Sequence, residues 1–290
     1  MIILDLSRVF YATIAVATRN EKKTPEIDFL RHLILNSIRA GRKRFALEYG
    51  EFVIATDCRE NYWRRDLFPY YKANRKKGRE EDDLDWPAIF EMVNQIKAEI
   101  ETYLPYKMIK VDGAEADDII AVLTKKYHSQ GVLILANDHD FVQLHKLPNV
   151  KQWNPVRSKW IREKDPVRYL QEHIIKGDSG DGIPSLKEND NALILPPTFR
   201  ADGKKVRRAS ITQVAINKWL AGDPKLTMTA EEYRNYVRNR ELIDFDYIPE
   251  HISDAILENY ETHPDKDRKR IFNYFMEKRL RNLMGSISDF

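Results

Sequence analysis

The chain has a single cysteine, Cys58, so it can form neither an intramolecular disulfide nor a cysteine-based metal site. That usage fits a reducing compartment. No apolar run approaches the roughly 20 residues of a membrane span. The apolar stretch after Met1 (Ile2, Ile3, Leu4) is too short for a signal peptide and has no basic residues before it. The expected location is therefore the cytoplasm. Internal repeats and low-complexity linkers are also lacking, and so is a marked excess of either charge: 48 basic residues face 45 acidic ones, a formal net charge of +3. With 42% hydrophobic and 32% charged residues the 290-residue chain is globular, charge-rich and long enough to bury a large core. Because the two signs nearly cancel, their placement along the chain carries the information.

Short apolar runs of strand type occur at Ile2–Leu6, Phe52–Thr56, Met108–Val111 and Val132–Ala136. Between them lie helical spacings: Phe29, Leu30, Leu33, Ile34 and Ile38; Ile89, Phe90, Val93, Ile96 and Ile100; Ile119, Ile120 and Leu123. Alternating strands and helices predict an α/β fold, a mainly parallel sheet covered on both faces. Active sites of such sheets lie at the carboxyl ends of the strands. From about Asp165 the pattern turns mostly helical. It comprises a helix at Tyr169–Lys176, an irregular run Gly177–Pro197, a basic turn Arg200–Arg208 and further helices. The expected division is a catalytic lobe at 1–165, including the segment 59–85, and a helical lobe at 166–290.

Three of the four strand-like runs end in aspartate: Asp5, Asp57, and Asp138 with Asp140 two residues on. Glu115, Asp117 and Asp118 follow the remaining run and open a helix. Asp178 and Asp181 lie in Gly-Asp-Ser-Gly-Asp. Singly, each group has a simple structural reading: acidic residues cap helix starts, and aspartate favours turns. Jointly they would repel one another at one sheet edge unless a cation compensates them. All-oxygen ligands without a Cys/His cluster suit a hard cation, Mg²⁺ or Mn²⁺. The number of carboxylates favours two ions, which suits phosphodiester hydrolysis. His139, between Asp138 and Asp140, points the opposite way at strand spacing.

Arg59 to Arg79 holds Arg64, Arg65, Lys72, Arg75, Lys76, Lys77 and Arg79, interleaved with Tyr62, Trp63, Phe68, Tyr70 and Tyr71. Cations neutralise phosphates while aromatic faces stack on unpaired bases. The alternative is an amphipathic helix whose aromatics pack inward, with Phe68 and Tyr71 the first candidates for the core. Further basic clusters are Arg200, Lys204, Lys205, Arg207 and Arg208, and Lys266, Arg268, Lys269 and Arg270. These are solvated surface or duplex contacts.

Taken in order, Asp5, Asp57, Glu115-Ala-Asp117-Asp118, Asn137-Asp138-His139-Asp140 and Gly177-Asp178-Ser179-Gly180-Asp181 resemble the metal-binding signature of the flap endonuclease and 5′-exonuclease family. Tyr71-Lys72-Ala73-Asn74-Arg75 resembles its helical arch motif. Within the family the whole chain resembles the ribonuclease H branch of T-even-type bacteriophages. The resemblance implies a resolvase-like fold with an arch over the active site. It implies a Mg²⁺-dependent 5′→3′ exonuclease and flap endonuclease, acting on RNA–DNA and DNA–DNA duplexes and removing RNA primers in phage replication. By the same resemblance Asp5, Asp57, Asp117 and Asp138, supported by Glu115, hold the first metal. Asp140, Asp178 and Asp181 surround the second, and Asp118 belongs to the same acidic motif. Lys72 and Arg75 hold the scissile phosphate. The basic and aromatic makeup of the segment in turn assigns Arg64, Arg65, Tyr70, Lys76 and Arg79 to a nucleic-acid strand. A monomer is expected, with a phage single-stranded DNA-binding protein and a sliding clamp as partners. Two departures stand out. The family usually has glycine at the position of His139. Ser185–Asn191 lacks the glycines of a helix-hairpin-helix, which shifts duplex binding toward Lys204, Lys205, Arg207 and Arg208. Competing readings are a PIN-type ribonuclease or other Mg²⁺-dependent phosphotransferase, which needs no arch, and an inactive nucleic-acid-binding protein, which would have lost carboxylates.

Overall fold

The structure is a computed structural model that describes residues 1–19, 23–58, 62–80, 82–196, 199, 204, 208, 210–264 and 266–290, with only the backbone at residue 77. Along the chain run β1 (Ile2–Asp5), α1 (Leu6–Ala17), α2 (Ile27–Tyr49), β2 (Phe52–Ala55), α3 (Trp63–Leu67), α4 (Asn74–Glu80), α5 (Trp86–Tyr103), β3 (Lys107–Ile109), α6 (Ala116–Tyr127) and β4 (Val132–Leu135). They are followed by β5 (Val150–Asn154), β6 (Lys159–Ile161), α7 (Pro166–Lys176), α8 (Gln213–Leu220), α9 (Pro224–Thr227), α10 (Ala230–Ile243), α11 (Glu250–Thr262), α12 (Lys269–Glu277) and α13 (Arg281–Met284). Among the described residues no helix is long and apolar enough to cross a membrane.

The strands form one sheet in the order β3-β2-β1-β4-β5-β6, parallel except for β6, which pairs antiparallel with β5. The fold is the mainly parallel α/β type expected. Parallel strands covered on both faces must be apolar throughout, which is why β1, β2 and β4 read as unbroken runs and are buried at every position. One face presents Ile2, Leu4, Phe52, Ile54, Leu133 and Leu135 to α1, α2, α5 and α12 in a single core. The other face is covered by α6, on which α11 packs.

The described residues fall into two compact units. The first comprises Met1–Glu60, Asp83–Lys164 and Pro249–Phe290, and the second Asn61–Asp82 and Asp165–Ile248. This differs from the expected division at 165 in two places. The C-terminal helices belong to the sheet unit, because Ile271, Tyr274, Phe275, Leu283 and Phe290 complete its core. A buried ion pair anchors them: Arg31 donates to Glu99 through Nε (2.6 Å) and a terminal nitrogen (3.0 Å), and Tyr274 donates its hydroxyl to Glu99 at 2.8 Å. Burial works against ionisation of Glu99, yet Arg31 and Tyr274 hold it below the usual carboxylate range. Removing one partner of such a pair costs about 3–5 kcal/mol. Glu99→Ala is therefore expected to lower the unfolding free energy by about that much in a urea titration. A loss of less than about 1 kcal/mol would show that the pair does not fix α12.

The segment 61–82 belongs to the helical unit, because Phe68 and Tyr71 are buried with Leu170, Ile174, Ile183, Leu186, Trp219 and Leu242. The inward-packing alternative thus holds for these two rings. The irregular run after Gly177 is ordered by polar side chains of α10. Asn235 and Asn239, both fully buried, donate to the carbonyls of Leu186 (2.8 Å), Ile174 (2.8 Å) and Pro184 (2.9 Å). Side-chain amides here satisfy backbone groups that a regular helical hairpin would satisfy for itself.

Candidate active site

The order of the strands decides where the carboxylates go. Asp5 ends β1, Asp57 follows β2 and Asp138 follows β4, and these are three adjacent parallel strands, so all three meet at one edge. β3 lies beside β2 and delivers Glu115, Asp117 and Asp118 through the start of α6. Oxygen atoms of Asp117, Asp138 and Asp140 lie within 4.8 Å of one another. Asp5 is buried and also caps α1, accepting from the Arg8 amide at 2.9 Å. Asp57 accepts from the Ser7 hydroxyl at 2.6 Å and from the Ala116 amide at 2.8 Å, tying β2 to the starts of α1 and α6. Asp138 accepts from the Asp140 amide at 3.0 Å and pairs with the guanidinium of Arg8.

Glu115 and Asp118 behave differently from their neighbours. Both are buried and form a reciprocal capping box at the start of α6, in which Asp118 accepts from the Glu115 amide at 3.0 Å. Asp118 is thus a cap of α6 as well as a member of the acidic motif. Glu115 stands as the N-cap beside it.

Electrostatics give this edge its character. Burial, and then the charges of Asp117 and Asp57, push the Asp5 carboxyl up to about 8, although the Arg8 amide and guanidinium pull the other way. A buried acid so placed ionises readily only beside additional positive charge. The donor set is all oxygen, and three of its members already lie close together. These residues therefore fit a hard divalent cation.

In the helical unit, the segment from Tyr70 to Arg75 is docked on the loop 178–183. Asp178 shapes the loop by accepting from the amides of Gly180 (2.7 Å) and Asp181 (3.1 Å). Burial opposes ionisation of Asp178, and His173, 3.6 Å away, holds it below its ordinary value. Lys72 donates its amide to the Asp181 carbonyl at 2.7 Å, from a left-handed backbone at φ 57° that costs about 1 kcal/mol or more. Asp181 accepts from the Tyr71 hydroxyl at 2.9 Å, pairs with Arg75 and has the Lys72 ammonium at 3.5 Å. Burial would raise the Asp181 carboxyl, but Lys72, Arg75 and Tyr71 outweigh it and bring it down to about 2. Asp181 is thus the counter-ion of the two predicted phosphate-holding cations.

Gly182 makes the docking possible. At φ 76°, a Cβ there would lie 2.9 Å from the Tyr70 carbonyl oxygen. Gly182→Ala is expected to destabilise the protein by about 1–3 kcal/mol, through backbone strain and the displaced Tyr70–Lys72 turn. An unchanged melting temperature would mean that the two segments separate freely.

A family model for the 5′-3′ exonuclease N-terminal resolvase-like domain matches residues 4–175. The chain belongs to the 5′-3′ exonuclease family. A second model, for the C-terminal part of T4 RNase H, matches residues 168–290. Ribonuclease H of Enterobacteria phage T4 is 37% identical over 99% of this chain and 95% of its own length. A flap endonuclease Xni from a Shewanella species is 31% identical over 46% of this chain and 51% of its own. Among solved structures, the flap endonuclease of bacteriophage T5, in complex with DNA and metal ions, superposes with a TM-score of 0.62. It shares 19% identity and covers 90% of this chain and 99% of its own, a likeness of fold. By family, the chain is a nuclease.

For this exonuclease-family chain the remaining candidate residues sort as follows. Arg64, expected on the nucleic acid, is buried: Nε donates to the Leu242 carbonyl at 2.8 Å and its guanidinium lies 4.4 Å from the Trp63 ring centre. That corrects Arg64 to a packing residue. Arg65 and Lys76 are exposed, while Tyr70 and Arg79 are half-buried. Lys204 is exposed, and Arg208 forms a two-pronged pair with buried Glu188 at 2.6 and 2.7 Å. Lys205, Arg207, Arg59, Arg200 and the side chain of Lys77 lie outside the described residues. Three contributors at the carboxylate edge were missed: Ser7 and Arg8, and Gln152. Gln152 is buried on β5 and donates to the carbonyls of Asp138 (2.5 Å) and Ala136 (3.1 Å), holding the loop that carries Asp138. Ser7 and Arg8 had a signal, since they occupy the first turn of a helix that Asp5 begins.

Proposed function

We propose that this chain is a divalent-metal-dependent 5′ nuclease, using Mg²⁺ with Mn²⁺ as a substitute. It hydrolyses phosphodiesters from the 5′ ends of RNA–DNA and DNA–DNA duplexes and at flaps. The observation that carries the reading is the meeting of Asp5, Asp57, Asp117, Asp138 and Asp140 at the carboxyl ends of β1, β2 and β4 and the start of α6. In this proposal Asp5, Asp57, Asp117, Asp138 and Asp140 hold the metals, with Glu115 and Asp118 in support. Bound there, two hard cations would activate water and neutralise the charge that develops on the leaving oxygen. Asp57 stays oriented by Ser7 and the Ala116 amide, and Asp138 by Gln152 through its carbonyl. Arg8 compensates Asp138 and Asp5 before a cation arrives. Lys72 and Arg75 are proposed to exchange Asp181 for a phosphate of the 5′ strand. Arg65, Tyr70, Lys76, Arg79, Lys204, Lys205, Arg207 and Arg208 are the proposed further contacts. Asp178 and Asp181 retain the proposed association with a second metal. The biological reading is removal of RNA primers during phage replication, alongside a single-stranded DNA-binding protein and a sliding clamp. It rests on the likeness to the phage T4 ribonuclease H.

The test is release of short 5′ products from end-labelled RNA–DNA, DNA–DNA and flap substrates, with Mg²⁺ and with EDTA. Mg²⁺-dependent 5′ products support the proposal. Internal cutting of the RNA strand, or cutting that resists EDTA, would overturn it.

A further inference from the structure

Beside the carboxylate edge lies a second feature, opposite in sign. The β5–β6 hairpin and the loop after β4 enclose a polar cleft of about 350 Å³, lined by Asn137, His139, Arg157, Lys159, Trp160 and Arg162. Such a volume equals roughly ten waters at about 30 Å³ each, room for a hydrated phosphate. Asn137 and His139 flank Asp138 in sequence, so a single turn of chain faces the carboxylates with one residue and the cleft with two.

Two observations indicate what the cleft holds. First, Arg157, Lys159 and Arg162 converge on it, and among the described residues none of the three forms an ion pair. Three like charges in one cleft repel each other unless an anion joins them. Second, the cleft is rigidly registered to the site. Asn154 accepts from the Arg157 amide at 2.9 Å, which fixes the turn, and Asn154 pairs with Lys159 across the hairpin. The hairpin rests on the edge-to-face pair Trp153–Trp160 packed against Phe45. Gln152, on the same strand, holds the carbonyl of Asp138. A phosphate bound in the cleft would therefore sit at a set distance from the reacting edge.

We propose that this cleft binds a phosphate of the polynucleotide and fixes the register of the strand along the carboxylate edge. The inference rests on the nuclease reading and adds a positioning subsite to it. Arg157, Lys159 and Arg162 supply charge, and Asn137 and His139 supply hydrogen bonds. Both an internal phosphodiester and a 5′-terminal phosphate have this chemistry.

The test measures binding without turnover. The full-length chain and its Arg157→Ala/Lys159→Ala/Arg162→Ala variant are titrated, in EDTA, against a duplex with a 5′ single-stranded extension labelled on the complementary strand. The duplex is prepared with a 5′-phosphate and with a 5′-hydroxyl. The variant is expected to bind about 10- to 100-fold more weakly at moderate salt. Its log K against log salt slope should be shallower by about 1, given about 0.9 per phosphate contact. A matched Arg157→Lys/Lys159→Arg/Arg162→Lys protein should bind nearly as wild type, which shows that charge is what the cleft supplies. An equal loss on both duplexes assigns an internal phosphate, and a loss confined to the 5′-phosphate duplex assigns the terminal one. Affinity and salt slope within twofold of wild type on both would overturn the inference. Because no cleavage is read, that outcome is separate from failure of the nuclease reading, which is the absence of Mg²⁺-dependent cutting by the wild-type chain.

Discussion

Asp138→Asn and Asp117→Asn are each expected to slow cleavage by about 10³-fold or more while DNA affinity changes less than about threefold. The two oxygens belong to the group that gathers within 4.8 Å at the sheet edge. A neutral amide there removes one charge from the cation's ligand set. The several kcal/mol of transition-state stabilisation that a metal supplies correspond to about three decades, at about 1.4 kcal/mol each. Affinity for a polynucleotide comes mainly from cations on phosphates, which neither change touches. Single-turnover rates at saturating enzyme and Mg²⁺ decide the matter, with anisotropy in EDTA for affinity. Near-normal rates in either variant would remove that residue from the metal site.

The second large effect concerns Asp5, where activity and stability should move in opposite directions. Asp5→Asn is expected to lower cleavage by about 10³-fold for the same reason. It should also stabilise the metal-free protein above neutral pH. In the folded chain burial, Asp117 and Asp57 push this carboxyl up to about 8, whereas in the unfolded chain it titrates near 4. Between those values the folded state binds more protons than the unfolded state, so stability falls as pH rises. The contribution is fully present below about pH 4 and is lost through about pH 8. Melting temperatures in EDTA should therefore decline across that window more steeply for wild type than for Asp5→Asn, and Mg²⁺ should flatten the wild-type decline. Parallel curves for the two proteins would contradict this electrostatic picture.

How much of this was legible in the chain follows from the physics of each element. Strands buried on both faces advertise themselves as apolar runs, and each of three runs ends in aspartate, so the site could be placed before the fold was seen. β5 was not legible: Val-Lys-Gln-Trp-Asn mixes polar and apolar residues, and its buried Gln152 is explained by the Asp138 and Ala136 carbonyls it serves and the His145 ring it meets. The periodicity of α12 shows that it has an apolar face but not which core receives it. The helix went to the sheet because Tyr274 reaches Glu99, 175 residues earlier. Arg64 was misplaced for a related reason. A charge-rich segment reads as solvated surface, whereas the Leu242 carbonyl that accepts from it lies 178 residues away. Glu115 and Asp118 read from the sequence both as caps and as ligands, and the structure contains the capping box.

The stacking candidates divide along the same line. Trp63, Phe68 and Tyr71 are buried and serve packing, while Arg65 and Lys76 remain at the surface. The segment therefore carries fewer exposed aromatics than its composition suggests. Its contribution to a polynucleotide is weighted toward charge, with Lys72 and Arg75 held ready by Asp181.

The central claim is that the carboxylate edge of β1, β2 and β4 is a divalent-metal centre. The most direct measurement is anomalous scattering from crystals of the wild-type chain grown with Mn²⁺. Anomalous density is expected within coordinating distance of Asp117, Asp138 and Asp140, abolished or weakened in the Asp138→Asn protein. Mn²⁺ bound elsewhere on the chain, with none at that edge in crystals that still hold the fold, would contradict it.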